Sequence, residues 1–231
     1  AILPCIMVSM KPDSCEKLLK NVEKSYEIIA EEFSATRNFG WSEFEIFKKY
    51  IPENAHVADI GCGNGRLRKS LPTEINYTGI DTNKTLLEKA KKEHLNDTFL
   101  EGNLLEIPTK ETIFDVTFCI ATLHHIPSPL LRKKAIQELV RITKKDGIII
   151  ITVWNLWQKK YWKNIFRAFK KWLSGGEYQW NDLMISWSGK VDRYYHAFTQ
   201  SELKNLLKKE DFKIEKFFRE GHNYVAICRK K

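Results

Sequence analysis

The chain has 231 residues, 43% of them hydrophobic and 29% charged. That composition excludes a disordered chain and gives one domain with a sizeable core room to form. Its 38 Lys and Arg against 29 Asp and Glu leave a net charge of +9, which favours an anionic partner, either nucleic acid or an anionic membrane surface.

The five cysteines, Cys5, Cys15, Cys62, Cys119 and Cys228, are odd in number and lack C-x-x-C spacing. They give neither a disulfide framework nor a zinc site, and no metal is expected. A reducing compartment follows: the cytoplasm, or the nucleus in a eukaryote. The opening run "AILPCIMVSM" is too short to span a bilayer and lacks the pattern of a signal peptide, so no membrane partner is expected. Residues 1–12 are read as a tail, and 13–231 as one domain with N-terminal helices over 13–50 and an insert over 155–198.

In chain order, apolar residues at spacings of three and four predict a helix from Asp13 to about Phe33, and a second from Ser42 to Tyr50. The period then changes. "HVADI" reads as a buried strand, the glycines after it as a turn, and "GRLRKSL" as a helix. "NYTGI" is a strand, "KTLLEKAKKEH" a helix, "DTFLEGN" a strand with its exit loop, "FDVTFCIATL" a long strand and "PLLRKKAIQELVRIT" a helix. "GIIIITVW" is apolar and β-branched, as a central strand requires. "WQKKYWKNIFRAFKKWL" is a basic, aromatic helix, and "SGGEYQWNDLMISWSGKVDRYYHAF" an irregular insert. A last helix, "TQSELKNLLKKE", precedes an antiparallel pair joined near Gly221. Strands alternating with helices predict an α/β fold: a Rossmann-like, mostly parallel sheet of seven strands with an antiparallel C-terminal strand and helices on both faces.

Ligands of open α/β sheets bind beyond the carboxyl ends of the strands. "VADIGCGNGRL" puts a G-x-G-x-G turn at such an end. No Lys-Ser/Thr pair follows, which rejects a phosphate-binding P-loop, and the third glycine of a dinucleotide turn is displaced. The variant suits S-adenosylmethionine. Amides of Gly61, Cys62, Gly63 and Asn64, with the N-terminus of the following helix, are positioned for its carboxylate. Asp59 suits its cationic side. Asp81 and Thr82, at the end of the second strand, suit the ribose hydroxyls, and an acid there opposes a 2′-phosphate. Asn103 and Leu104 follow the third strand at the adenine side, and Ile120 ends the fourth.

"VADIGCGNG", "GID" and "FDVTFCIATLHHIPSPLLRKKAIQELVRITKKDGIIIITVW" resemble class I methyltransferases. "YEIIAEEFSATRNFGW", "DRYYHAFTQSEL" and "GHNYVAI" carry a narrower resemblance, to the tRNA wobble-uridine carboxymethyl methyltransferases, over nearly all of the chain from Tyr26 to Lys230. Asn103 departs from the Asp usual in that family, and Arg66–Leu67 from a commoner Lys-Tyr pair. The resemblance implies esterification of 5-carboxymethyluridine in tRNA, and in eukaryotes a small zinc-binding activator subunit. Two other readings stay open: a small-molecule O- or carboxyl-methyltransferase of the same fold, and a non-catalytic subunit that holds the cofactor.

A carboxylate acceptor is ionised at neutral pH and needs no base. A cation orienting one of its oxygens is useful, and Arg37 and Arg193 are candidates. His124, His125 and His196, with Tyr195 beside them, are candidates for substrate contact, and Asn223 is a weaker one. Lys159, Lys160, Lys163, Arg167, Lys170 and Lys171 lie opposite an aromatic helix face expected to pack on the domain. They form a candidate surface for tRNA phosphates.

Overall fold

The structure is a computed structural model that describes residues 10–36, 41–110 and 112–231. Nine strands and six α-helices alternate among these residues. Seven strands form one sheet in the order β3-β2-β1-β4-β5-β9-β8: β1 (His56–Ile60), β2 (Asn76–Asp81), β3 (Thr98–Glu101), β4 (Phe114–Ile120), β5 (Thr143–Trp154), β8 (Phe212–Glu220) and β9 (Asn223–Lys230). The pairings from β3 through β5 are parallel, and β9 runs antiparallel between β5 and β8. The expected sheet, with its antiparallel C-terminal strand, is therefore present.

Burial on both faces explains why the central strands β1, β4 and β5 read as near-continuous apolar runs. Alternate residues serve opposite cores. Ala58, Cys119, Ile149 and Ile151 meet Ala135, Leu139 and Leu203 from helices α4 (Pro129–Ile142) and α6 (Gln200–Leu207). Val57, Phe118, Ile148 and Ile150 meet Phe47, Leu87 and Ala90 from α2 (Glu43–Lys48) and α3 (Lys84–Glu93). The helix starts are chemically marked: Asn83, Ser128 and Thr199 each accept a bond from a first-turn amide. Helix α1 (Pro12–Ala35) packs on α3 and on the hairpin described next.

Three expectations fail. The segment after the glycine turn is not an α-helix but a run of turns ending in one 3-10 turn, Arg68–Ser70. Gly65, at φ 76°, and Pro72 bound the segment on either side and favour turns over a continuous helix. Arg68 holds the turn instead, donating to Asp97 (2.7 Å) and to the carbonyls of Pro72 and Thr73. The insert is not irregular throughout, because Asp182–Trp187 (β6) and Val191–His196 (β7) form an antiparallel hairpin. Ser188 and Gly189 turn it at φ 48° and 72°, a hairpin signal legible in the Ser-Gly pair.

The third failure concerns α5 (Trp162–Leu173). It attaches to the hairpin through Ile165, Ala168 and an Asn164 Nδ2–H bond to the Met184 carbonyl (2.9 Å). Its main aromatic row does not pack on the domain: Trp162 is 64% exposed and Phe166 60%. Among the described residues no helix is long and apolar enough to cross a membrane. Cys15, Cys62, Cys119 and Cys228 are buried free thiols.

Candidate active site

The carboxyl ends of β1, β2 and β4, with the loop after β3, open onto one cleft bordered by α1 and by Trp41 and Phe44. Gly61, Cys62, Gly63 and Asn64 line its floor. At Gly61 (φ 80°) an added Cβ would lie 2.1 Å from Thr122 Oγ1, so only glycine lets the β1 turn pass the loop after β4.

The loop amides are already engaged. Gly61 and Cys62 both donate to the Ile80 carbonyl (2.7 and 3.1 Å), Gly63 to Asp81 Oδ2 (2.8 Å) and Gly65 to the Cys62 carbonyl (3.0 Å). With no helix N-terminus after them, the expectation that Gly61, Cys62 and Gly63 amides receive a carboxylate is corrected. Arg66 is the only Lys or Arg lining the cleft among the described residues, its guanidinium 4.1 Å above the Trp41 ring. It was missed because its spacing matches no fingerprint; the signal available was a cation in the position directly after the last glycine of the turn.

Two carboxylates face the cleft from adjacent strands. Asp81 accepts from the Gly63 and Asn83 amides (2.8 and 2.9 Å), which use two of about four acceptor positions on a carboxylate. Asp59 accepts from the Tyr77 hydroxyl (2.8 Å) through Oδ2, while its buried Oδ1 has no partner among the described residues. Burial pushes the Asp59 carboxyl up to about 7, against the hydrogen bond from Tyr77. An orphaned acid on a cleft wall calls for a cation. S-adenosylmethionine brings a cationic sulfonium and ammonium group with sugar hydroxyls, and Asp59 and the spare lone pairs of Asp81 fit both.

Thr82, Leu104 and Ile120 also line the cleft, as expected. Asn103 does too, but its Oδ1 accepts from the Leu105 and Glu106 amides (2.8 and 3.1 Å). Its carboxamide is first a turn-former, so only its N–H end remains for a base edge.

At the other end of the cleft the residues form a relay. Ala121 lies at φ 52°, a strained conformation for a residue with a Cβ, and turns the chain from β4 into Leu123–His125. His125 Nδ1–H donates to the Tyr194 carbonyl (2.9 Å), leaving Nε2 to accept from the Tyr26 hydroxyl (3.0 Å). Arg193 Nη1 in turn donates to the Tyr26 oxygen (3.1 Å). Burial drives the His125 imidazole down to about 3. Tyr26 and His125 line the cleft, with Glu23 exposed near them. Tyr26 escaped sequence reasoning because it shares a helix with ordinary core positions.

Arg193 lies behind this wall, 3% exposed, among the rings of Tyr26, Trp187 and Tyr195. It has no acidic partner among the described residues, and its Nε–H is unpaired. It touches the cleft only through Tyr26. Arg37 lies outside the described residues.

The structure does not bring His124 and His196 to the cleft. His124 is fully buried between Trp154 and Tyr195, accepts the Trp154 amide at Nδ1, and is held neutral by burial. His196 faces Asp182 and Glu202 with its two ring nitrogens (2.8 and 2.6 Å) and pins the hairpin to α6. Tyr195 is buried in the same stack, so it offers no surface to a base. Asn223 donates to Glu43 and ties β9 to α2.

The family described as "Methyltransferase domain" matches residues 58–151, the stretch that builds the floor of the cleft. A protein of Arabidopsis thaliana named tRNA (carboxymethyluridine(34)-5-O)-methyltransferase is 34% identical over 58% of this chain and 33% of its own length. One of the same name from Schizosaccharomyces pombe is 29% identical over 90% of this chain and 96% of its own. The chain spans about a third or less of the first curated relatives it matches. A crystal structure of a SAM-dependent methyltransferase from Methanosarcina mazei, 23% identical, superposes with a TM-score of 0.70 over 83% of this chain and 98% of that one, and so shares its fold. Residues 58–151 thus match a methyltransferase domain, and the chain around them has the class I S-adenosylmethionine-dependent methyltransferase fold.

Proposed function

We propose that this chain methylates the carboxylate of 5-carboxymethyluridine at the wobble position of tRNA. The observation that carries the reading is the acceptor wall. Its histidine is neutral and a very weak base, and the group behind it is a buried cation without an acidic partner among the described residues. That histidine does not remove a proton from a phenol or an alcohol. The wall suits an acceptor that arrives already anionic.

Asp81 would hold the sugar hydroxyls of the cofactor, Asp59 its cationic side and Arg66 its carboxylate, with Asn103, Leu104 and Ile120 about the adenine. Bound there, S-adenosylmethionine supplies a methyl on a positively charged sulfur, which an anionic oxygen takes without any proton moving. Tyr26 and His125 orient the acceptor, and the buried Arg193 guanidinium adds a positive field in a low dielectric. Alignment and exclusion of water then carry the rate. Lys159, Lys160, Lys163, Arg167, Lys170 and Lys171 hold tRNA phosphates on this reading, and the activator subunit implied by the family resemblance remains part of it.

The test is transfer of labelled methyl to tRNA with and without carboxymethyluridine, followed by nucleoside mass spectrometry, with a free aryl carboxylic acid and a phenol as competing acceptors. Methyl ester formed only on the carboxymethylated tRNA is expected. Label on unmodified tRNA, or only on a small molecule, overturns the reading, and a rate that rises sharply between pH 6 and 8 with cofactor saturating at every pH counts against a carboxylate acceptor.

A further inference from the structure

Trp162, Phe166, Phe169 and Leu173 follow one another on α5 at spacings of four, three and four residues, which sets them in a single line along the helix. They are 64%, 60%, 40% and 63% exposed. Together they show on the order of 400 Å² of apolar surface, as large as the largest patch on many monomers and often functional at that size. This row does not attach the helix. Attachment uses the neighbouring flank, through Ile165, Ala168 and Asn164. The remaining flank carries Lys163, Arg167, Lys170 and Lys171, and the helix has no acid. Lys170 Nζ lies 4.8 Å from the centre of the Phe166 ring.

A second copy of the chain is a poor occupant, because pairing two such helices would bring four cations against four. The occupant must offer flat apolar faces and negative charge together. Unpaired nucleotides do so: each base has a face for a ring and each phosphate a charge for a lysine. The rise between successive rings, about 6 Å and 4.5 Å, follows from helix geometry and spreads them along a strand. Duplex RNA keeps its bases stacked on one another and offers only the phosphates. The helix packs on β6, whose partner strand β7 carries Arg193 behind the acceptor wall. Nucleotides flanking an acceptor base would pass near it.

We infer that the aromatic row of α5 is a stacking surface for unpaired nucleotides of the RNA substrate, with the basic flank holding their phosphates. This rests on the RNA reading above and adds how a loop is told from a stem.

The test compares the wild-type chain with W162S/F166S and with K163E/R167E/K170E, each checked for folding by circular dichroism. Anisotropy is measured on a labelled anticodon stem–loop and on a blunt duplex of equal length, across a salt series. W162S/F166S should lose about tenfold or more in affinity for the stem–loop, keep its duplex affinity and keep its salt slope. The charge reversal should weaken both and flatten the slope. Equal losses on the two RNAs, or none, overturn the inference. So does tight binding of the wild type to phosphatidylserine-containing vesicles without preference for the stem–loop, which would make the row a lipid contact. Methyl transfer to a carboxymethylated stem–loop separates the two levels. Unchanged KM in W162S/F166S sinks the stacking surface and leaves the methyl-transfer reading standing. No transfer by the wild type, alone or with a small zinc-binding activator subunit added, sinks that reading, and the binding comparison then decides α5 alone.

Discussion

Asp59 holds one carboxylate oxygen against Tyr77 and leaves the other buried and unpaired on the cleft wall. With its carboxyl near 7, the empty site carries a proton below that pH, whereas a bound cation favours the ionised form. Cofactor affinity should therefore rise with pH and level off above 7. Calorimetry at pH 6 should give a Kd about tenfold weaker than at pH 8, with proton release at pH 6. D59N should bind more weakly with no such dependence, and an unchanged slope in that variant assigns the proton elsewhere. Tyr26 makes a separate contribution, because its hydroxyl joins His125 to Arg193. Y26F should reduce kcat/KM for the acceptor by about tenfold, the loss of one charge-assisted hydrogen bond, while cofactor Kd stays unchanged.

At the level of elements, the β6–β7 hairpin depends on buried polar pins. His196 lies between Asp182 and Glu202, and Tyr194 donates to the same Asp182 oxygen (2.8 Å). Arg132, 2% exposed, reaches the carbonyl of Ile126 and the side chain of Gln179 from α4. Removing one partner from such a network leaves the others buried and unpaired. H196A should therefore cost about 2–4 kcal/mol in chemical denaturation. Cofactor Kd should hold in the folded fraction, since His196 lies outside the cleft. A variant as stable as wild type but inactive would return His196 to the chemistry.

For the whole molecule, buried titratable groups set opposing slopes of stability with pH. His124 and His125 are neutral when folded and protonate below about 6.5 when unfolded. Their contribution is present above that pH and is lost as pH falls, about 2 kcal/mol by pH 5 for His125, with His124 acting in the same direction. Asp59 works the other way: its folded value lies above 3.8, so it recovers about 2 kcal/mol over the same fall. Denaturation should show D59N losing about 2 kcal/mol more stability than the wild type between pH 7 and pH 5. Equal slopes for the two proteins would remove Asp59 from the account.

The sheet, the glycine turn and the carboxylates around it are legible from residue order alone, because these rest on local facts. Strands buried on both faces must be continuous apolar runs, and Gly61 must lack a Cβ where Thr122 approaches. The residues flanking that turn, Asp59 and Asp81, then fall on the cleft whatever the remainder does. Packing settles which of three histidines meets the cleft, that Arg193 bonds Tyr26 from behind it, and that α5 keeps its aromatic row in the open. Those outcomes depend on contacts between residues far apart in the chain, such as Tyr26 with His125 and His196 with Asp182. A side chain's polarity fixes what it must satisfy, while the packing of distant segments fixes which partner satisfies it.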